Sequence, residues 1–500
     1  MSQHLEKPLD QEAAANANWQ APEDGSIEIA FPDGGYKAWL TVVGGLLTSI
    51  SSIGFLSAFS VFQSYYGTTA LPTESASNIS WIGSLQIFGC FFLGLWSGRL
   101  SDKRGPRLPL ALGTFFMVFG TMMASISKSF YQFVLSQGLC SAIGFGLVFT
   151  PSLAVQSQWF LKKRGFAVGL VMSGQNIGGS WKMLGRIIFL LISQEKPLLT
   201  LSPIPAGVIW PVIVDQLINN RRVSLGWTLR IIGFMQLFVM VIATLLVSPR
   251  FPQIPREPIP VKQFLTDKRS SLFTLSSLIL FFAIYIPYVR TKPYPGENCS
   301  FLGLTGLLIK FYITPYAMQW GVSLNMAFYL SSILNAGAFF GCYTFGVAAD
   351  RGLGTFNAFT AVAFGCAVTA FGWIGARNNA GIIVWTIIYG FLSGAVQALF
   401  SPCISHLAPE PSLIGTWNGK PMDFSKHSCI QLGINNIPLG ICFTVVSFAV
   451  LGTGPIAGRL LDNTQGINYL PMKLFTAVFL IVASALYFVT RLLVSRKAVI

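Results

Sequence analysis

Long apolar segments recur along the chain and are separated by short polar connections. A helix needs about 20 consecutive apolar residues to cross the hydrocarbon core of a bilayer. The pattern predicts twelve such spans, near residues 39–63, 80–97, 108–126, 130–153, 165–179, 227–247, 272–288, 325–345, 356–376, 380–403, 441–458 and 470–490. The fifth span is short and resumes at 207–214, and the seventh resumes at 311–320.

Composition places the chain among all-α polytopic membrane proteins. Hydrophobic residues make up 53% of the 500 positions and charged residues only 10%, whereas soluble domains carry roughly 25% charged residues. The first 30 residues are polar and acidic and lack the apolar core of a signal peptide. We therefore expect residues 1–36 to form an acidic, disordered tail.

Lysine and arginine concentrate in alternate connections, which predicts the orientation in the membrane. Basic clusters follow the second span at 99–107, the fourth at 162–164, the sixth at 250–269 and the last at 491–497, whereas 64–79 has none. Because basic loops stay in the cytoplasm, the even-numbered connections and both termini are predicted to be cytoplasmic. Arg221 and Arg222 fall on the opposite side and count weakly against this assignment. Topology thus accounts for most of the net charge of +15, and no nucleic-acid partner is needed.

Two similar loops lie six spans apart, "GRLSDKRGPR" after the second span and "GVAADRGLGT" after the eighth. A carboxylate at such a turn can accept hydrogen bonds from the N-terminus of a neighbouring helix and pair with nearby cations. We therefore predict a conformational switch that holds one of two states closed. Its residues are Gly98, Asp102, Lys103, Gly105 and Arg107 in the first copy and Gly346, Asp350 and Arg351 in the tighter second copy.

The first loop resembles the Major Facilitator Superfamily signature G-x-L-x-D-[RK]-x-G-[RK]-[RK], departing from it at Pro106. The resemblance implies a twelve-helix fold of two six-helix halves, at 37–248 and 272–493, joined by a cytoplasmic loop at 249–271. It also implies a carrier, not an enzyme, that moves a small organic molecule across a lipid bilayer by alternating access. A non-transporting membrane sensor of the same fold is the alternative. The resemblance implies neither cofactor nor oligomeric state.

A narrower resemblance comes before the first span, where "PDGGYKAWLTVVGG" is similar to the entry motif of the monocarboxylate-transporter family in its fungal branch. The signature positions are Asp33, Gly34, Gly35, Tyr36 and Trp39. The stretch from Gln137 to Gly179 resembles that branch's fourth and fifth helices. Animal members carry an Asp/Arg pair in the eighth helix, where this chain offers only Asn335, which argues against lactate–proton symport. A vitamin-like aromatic nutrient, a small monocarboxylate and an exported secondary metabolite all remain open as substrates.

Neutral polar residues are the candidates for a substrate pocket, because the spans contain almost no ionisable groups in their middles. In the resembled fold the first, fourth, seventh and tenth helices line the central cavity. Amides and phenols suit an uncharged or weakly acidic organic molecule with aromatic character, although each can equally form a helix–helix hydrogen bond. The candidates are Gln63, Gln137, Tyr285, Tyr316, Asn335 and Gln397.

Cysteine and histidine residues give no metal-binding pattern. The eight cysteines are scattered without Cys-x-x-Cys spacing, and the three histidines form no cluster, so we predict no metal site. In the first non-cytoplasmic connection, Asn78 begins an Asn-Ile-Ser sequence that is an acceptor for N-glycosylation.

Three segments interrupt otherwise continuous spans, at 180–206, 289–310 and 420–440. They carry prolines and charged residues at membrane depth, where an unsatisfied backbone and buried charges are costly. Their removal restores the fifth, seventh and eleventh helices and leaves 430 residues. We therefore interpret them as translated introns; the alternative is that they are re-entrant functional loops. If they are retained, the chain is a non-functional product of a mis-spliced gene model.

We predict that the mature transcript lacks all three segments, because each breaks a membrane helix. Sequencing the spliced message across the three junctions measures this directly. A mature message encoding "VRTKPYPGENCSF", which lies in the second segment, would contradict the interpretation.

Overall fold

Twelve helices form the bundle in the part of the chain that the structure describes; a π-helical turn at Tyr66–Ala70 and a short helix at Val261–Thr266 lie in the connections. The computed structural model describes residues 33–56, 59, 62, 65–74, 76–176, 210, 213–214, 217, 223–250, 261–286, 320, 324–405, 407, 436–462 and 469–494. The helices are α1 Tyr36–Leu56, α2 Ala76–Phe92 with Gly94–Arg104, α3 Arg107–Ala124, α4 Phe130–Trp159, α5 164–176, α6 Leu225–Leu246, α7 Lys268–Ile284, α8 Leu324–Ala348, α9 Thr355–Gly375, α10 Asn379–Ser405, α11 Asn436–Asp462 and α12 Leu470–Val494.

These helices coincide with the twelve predicted spans, and the predicted all-α membrane architecture is confirmed. Within the described residues seven helices are long and apolar enough to cross a membrane, or eight when the bent α2 counts as one span. The α2 axis bends by 40° between Phe92 and Gly94. No strand occurs in the described ranges.

Several sequence predictions fall outside the described residues. These are most of the acidic tail, the segments 180–206, 289–310 and 420–435, and the pocket candidates Gln63 and Tyr316. Helix α11 begins at Asn436, so residues 436–440 of the third predicted insert lie in its first turns. Removal of 420–440 brings Gly419 to the position of Gly440, so that a glycine still precedes Ile441.

Glycines let the helices of each half pack backbone against backbone, most closely between α8 and α10. A methyl group built on Gly341 would overlap the Phe391 carbonyl oxygen, and one built on Gly394 would overlap that of Ala338. Small residues at such contacts maximise van der Waals packing where the bilayer provides no hydrophobic driving force. The pair α8 and α10 therefore forms one closely packed unit.

Trp210 lies after the first predicted insert in the chain, and it packs against α1 beyond the described end of α5. Its position therefore indicates whether the fifth helix continues when the insert is removed. Gly174 of α5 approaches Leu46 of α1, with its built Cβ 2.7 Å from the Leu46 carbonyl oxygen. The Trp210 indole donates to the Ile50 carbonyl oxygen at 2.9 Å and meets the Phe55 ring at 5.6 Å. Without residues 180–206, Trp210 becomes the ninth residue after Gly174, and Phe55 is the ninth residue after Leu46. The Gly174–Leu46 and Trp210–Phe55 contacts are then nine residues apart on both helices, as expected for two helices that run side by side in the same direction.

We predict that Gly341→Ala destabilises the folded protein by about 1–3 kcal/mol, the usual cost of overpacking a core. The thermal midpoint in detergent, followed by tryptophan fluorescence, should fall by several degrees. The matched control is Gly372→Ala in α9, where a methyl group meets nothing within 4 Å. Equal midpoints for the two variants would show that α8 and α10 are not in such close contact.

Candidate functional site

The two halves of the chain touch at one end of the helix bundle, here called the basic end because exposed Lys103, Lys162 and Arg351 lie there. At this end Asp350, from the C-terminal half, reaches the first turn of α5. Its Oδ1 accepts from the Gly165 amide at 2.9 Å, and its Oδ2 accepts from the Phe166 amide at 2.8 Å. We call this carboxylate and its two amide donors the latch.

The start of α5 is suited to bind a carboxylate. Its first amide groups have no acceptor within the helix, and the helix dipole places partial positive charge there. Close approach is possible because Gly165 faces Gly346: a methyl group on Gly346 would lie 2.7 Å from the Gly165 carbonyl oxygen. One helical turn further, a methyl group on Gly169 would lie 2.6 Å from the Cys342 carbonyl oxygen. Helices α5 and α8 thus meet backbone to backbone across the two halves.

Arg164 adds a positive charge beside the latch. It is buried, and its Nε donates to the Phe160 carbonyl oxygen at 3.3 Å. Burial lowers the pKa of Arg164 to about 10, and the negative charges of Asp350 and Asp33 partly oppose this by raising it. The side chain stays protonated at neutral pH.

The Asp350 carboxyl is partly desolvated in the latch. Burial raises its pKa above the ordinary value and Asp33 adds to this, whereas the Phe166 and Gly165 amides and the Arg164 charge lower it. The hydrogen bonds from α5 therefore offset a desolvation cost.

Two signature residues of the N-terminal segment contact the connection between α4 and α5. Asp33 Oδ1 accepts from the amides of Leu161, Lys162 and Lys163 at 2.7, 2.7 and 3.3 Å. Trp39 packs its ring on Phe160 at 5.2 Å and on Phe166 at 5.9 Å. Gly35 has a φ of 93° where α1 begins; Gly34 is half-buried, and Tyr36 is exposed.

The first switch loop closes α2 and joins helices of its own half. Gly105 has a φ of 81° and donates to the Ser101 carbonyl oxygen at 2.8 Å, which ends α2 with a left-handed glycine. Arg107 donates through Nε to the Val247 carbonyl oxygen at 3.0 Å, beyond the end of α6. Gly98 is buried, Asp102 half-buried and Lys103 exposed.

A second contact between the halves joins α2 and α11. A methyl group on Gly440 would lie 2.6 Å from the Gly94 carbonyl oxygen. The Thr444 hydroxyl donates to the Phe92 carbonyl oxygen at 2.9 Å. Together with α5 and α8, this contact closes the basic end on both sides of the interface.

Five buried phenylalanines cross the interface between the halves, and we call them the aromatic floor. Phe443 is central: its ring lies 5.3 Å from Phe91, 5.2 Å from Phe149 and 5.4 Å from Phe400. Phe281 joins Phe400 at 5.3 Å. The sequence predictions missed this cluster, because the chain contains 42 phenylalanines and no spacing distinguishes these five.

An amide pair joins α5 and α10 across the same interface. Gln175 Nε2 donates to Gln397 Oε1 at 2.5 Å, and Asn176 Nδ2 lies 3.7 Å from the Cys342 sulfur. Gln175 follows Gly165 by ten residues, or about 15 Å of helix, which is roughly half the thickness of a bilayer core. The predicted pocket residue Gln397 therefore lies near mid-membrane, paired with Gln175.

The remaining described pocket candidates have different surroundings. Tyr285 is half-buried with its ring 5.7 Å from Phe281, at the edge of the aromatic floor. Gln137 accepts from the buried Tyr66 hydroxyl at 2.5 Å, so it forms the helix–helix hydrogen bond that was the open alternative. Asn335 is partly exposed on α8.

Neither the glycosylation sequence nor a metal cluster adds to this site. Asn78 is exposed in the first turn of α2, and its side-chain amide donates to Glu74 at 2.9 Å. In the described part of the chain no three His, Cys, Asp or Glu side chains are grouped so that they could hold a metal ion.

Comparison with known proteins identifies the family. The family model described as Major Facilitator Superfamily matches residues 41–419. "MFS-type transporter 1" of Ophiocordyceps sp. is 34% identical over 466 residues, covering 92% of this chain and 87% of that protein. The "Fujikurins efflux protein" of Gibberella fujikuroi is 32% identical over 504 aligned residues, covering 99% of this chain and 90% of that protein.

Solved structures agree in fold. A crystal structure of FucP, a Major Facilitator Superfamily transporter of E. coli, in the outward conformation superposes with a TM-score of 0.58 at 15% identity, covering 92% of this chain and all of FucP. At that identity the likeness shows the fold alone. The family match and the relatives show the family and the transport function. The chain therefore belongs to the Major Facilitator Superfamily and is a multi-pass membrane protein that transports a small molecule.

Proposed function

We propose that this chain exports an uncharged or weakly acidic aromatic secondary metabolite from a fungal cell by alternating access. The observation that carries the mechanism is the latch, because it joins the two halves at the basic end through two hydrogen bonds that a rocking motion can break. The relative from Gibberella fujikuroi is named as an efflux protein, which favours export over uptake of a nutrient.

The direction of closure follows from the predicted orientation. Basic connections remain in the cytoplasm, so the basic end and both termini face the cytoplasm, and the described state is closed on that side. The plasma membrane is the proposed location, since export requires it.

The substrate class follows from the chemistry at mid-membrane, where transporters of this kind bind their cargo. The aromatic floor offers flat apolar surfaces for ring stacking. Gln397 and Gln175 offer hydrogen-bond donors and acceptors without a formal charge. Such a site favours aromatic molecules whose polar groups are neutral or weakly acidic.

Within the superfamily we propose the fungal branch of the monocarboxylate-transporter family. The entry motif and the stretch from Gln137 to Gly179 carry that resemblance, and Asp33 and Trp39 of the former contact 160–166 of the latter. The proposal that residues 420–440 are an insert is consistent with the family match ending at Gly419.

We predict that deletion of the gene raises the intracellular content of an aromatic metabolite, measured by mass spectrometry of cells and medium, and that overexpression lowers it. Reintroduced Asp350→Asn should restore less than about a tenth of the export. Each oxygen of Asp350 accepts from a different amide, so either orientation of an asparagine turns its NH2 group towards an N–H donor and loosens the closed state.

The matched control is Glu74→Gln, a carboxylate-to-amide change just before α2, at the end of the bundle away from the latch; this variant should restore full export. Full export by Asp350→Asn would rule out the latch as part of the transport cycle. Altered transcription without altered export after gene deletion would indicate a sensor of the same fold.

A further inference from the structure

Asp33 is placed unusually for a residue at the beginning of the described chain. It has a φ of 45°, in the left-handed region, although it is not glycine. Such a conformation costs on the order of 1 kcal/mol and persists where surrounding contacts hold it. Here the contacts are the three hydrogen bonds from consecutive amides at 161–163 to one carboxylate oxygen. Those amides belong to the turn that leads directly into α5.

Asp33 also acts on Arg164 through its charge. Arg164 is 9% exposed and feels both Asp350, from the opposite half, and Asp33, from its own half. A buried cation without a partner is strongly unfavourable. When the halves separate at the basic end Asp350 is withdrawn, whereas Asp33 stays beside Arg164 because both belong to the N-terminal half.

We infer that Asp33 is a positioning residue of the transport cycle: it fixes the turn at 161–163 and the Arg164 cation so that α5 presents its Gly165 and Phe166 amides to Asp350. This inference rests on the proposed alternating-access function. The competing interpretation is that Asp33 only anchors the chain before α1. Hydrogen bonding alone suffices for an anchor, whereas positioning of Arg164 requires the negative charge.

The native Cys342 thiol reports on opening of the basic end. Cys342 lies on α8 and is fully buried. From α5, the Asn176 side-chain amide lies beside its sulfur and Gly169 packs on its backbone carbonyl. When opening and closing are fast, the rate of labelling by N-ethylmaleimide is proportional to the fraction of open molecules. The other cysteines are replaced by alanine, and the purified chain encoded by the mature transcript is labelled in lipid nanodiscs.

Asp33→Asn should raise the labelling rate of Cys342 about tenfold, within the range of coupling between linked sites. Asparagine keeps an oxygen for the three amides but removes the charge facing Arg164. If the asparagine variant does not fold, Asp33→Ser takes its place, because serine also keeps a hydrogen-bond acceptor and lacks the charge. The same rise in labelling rate is expected. Glu74→Gln is the control and should leave the rate unchanged.

A double variant shows whether Asp33 acts through Arg164. Arg164→Gln should raise the labelling rate, and Asp33→Asn combined with Arg164→Gln should label no faster than Arg164→Gln alone. If the labelling rate of the double variant is the product of the two single-variant increases, the inference is wrong. It is also wrong if Asp33→Asn and Asp33→Ser both leave the rate unchanged while Asp350→Asn raises it. If Asp350→Asn also leaves the labelling rate unchanged, the result contradicts the proposed alternating access at the basic end and not the role of Asp33 alone.

Discussion

The amide groups at the N-terminus of α5 are the constraint on which the closed state depends. No helix can satisfy its own first amides, and here two carboxylates from outside the helix surround them. Asp33 binds the amides just before α5, and Asp350 binds those of its first turn. One carboxylate belongs to the same half and the other to the opposite half. In the proposed cycle the first is kept and the second is given up, which makes this helix end a two-state contact.

The rest of the architecture makes that local contact effective over the whole molecule. Helices α8 and α10 pack through glycines, so a displacement of Asp350 carries Gln397 and Phe400 of α10 with it. Glycines also bring α5 against α8 and α2 against α11, so at these two contacts the halves meet through backbone and not through interdigitated side chains. In the proposed cycle, opening exchanges the latch hydrogen bonds for water and separates Phe443 from Phe91 and Phe149.

The sequence predicted local features well and non-local ones poorly. Apolar length alone located the twelve helices of the described part of the chain, and the repeated loop singled out Asp350 as a candidate switch residue. That partner, the start of α5, is 184 residues away for Phe166, and no periodicity encodes the pairing. Gln137 and Gln397 look alike in sequence, yet one bonds within its half to Tyr66 and the other across the halves to Gln175. The aromatic floor could not be singled out because phenylalanine is common in every span.

The central claim is that Asp350 holds the basic end closed. The most direct measurement is the distance distribution between spin labels at exposed Lys103 and Leu353, one in each half at that end, recorded by double electron–electron resonance in nanodiscs. A single short distance in the unmodified background and a second, longer population in Asp350→Asn are the predicted result. Identical distributions in the two proteins would contradict the account.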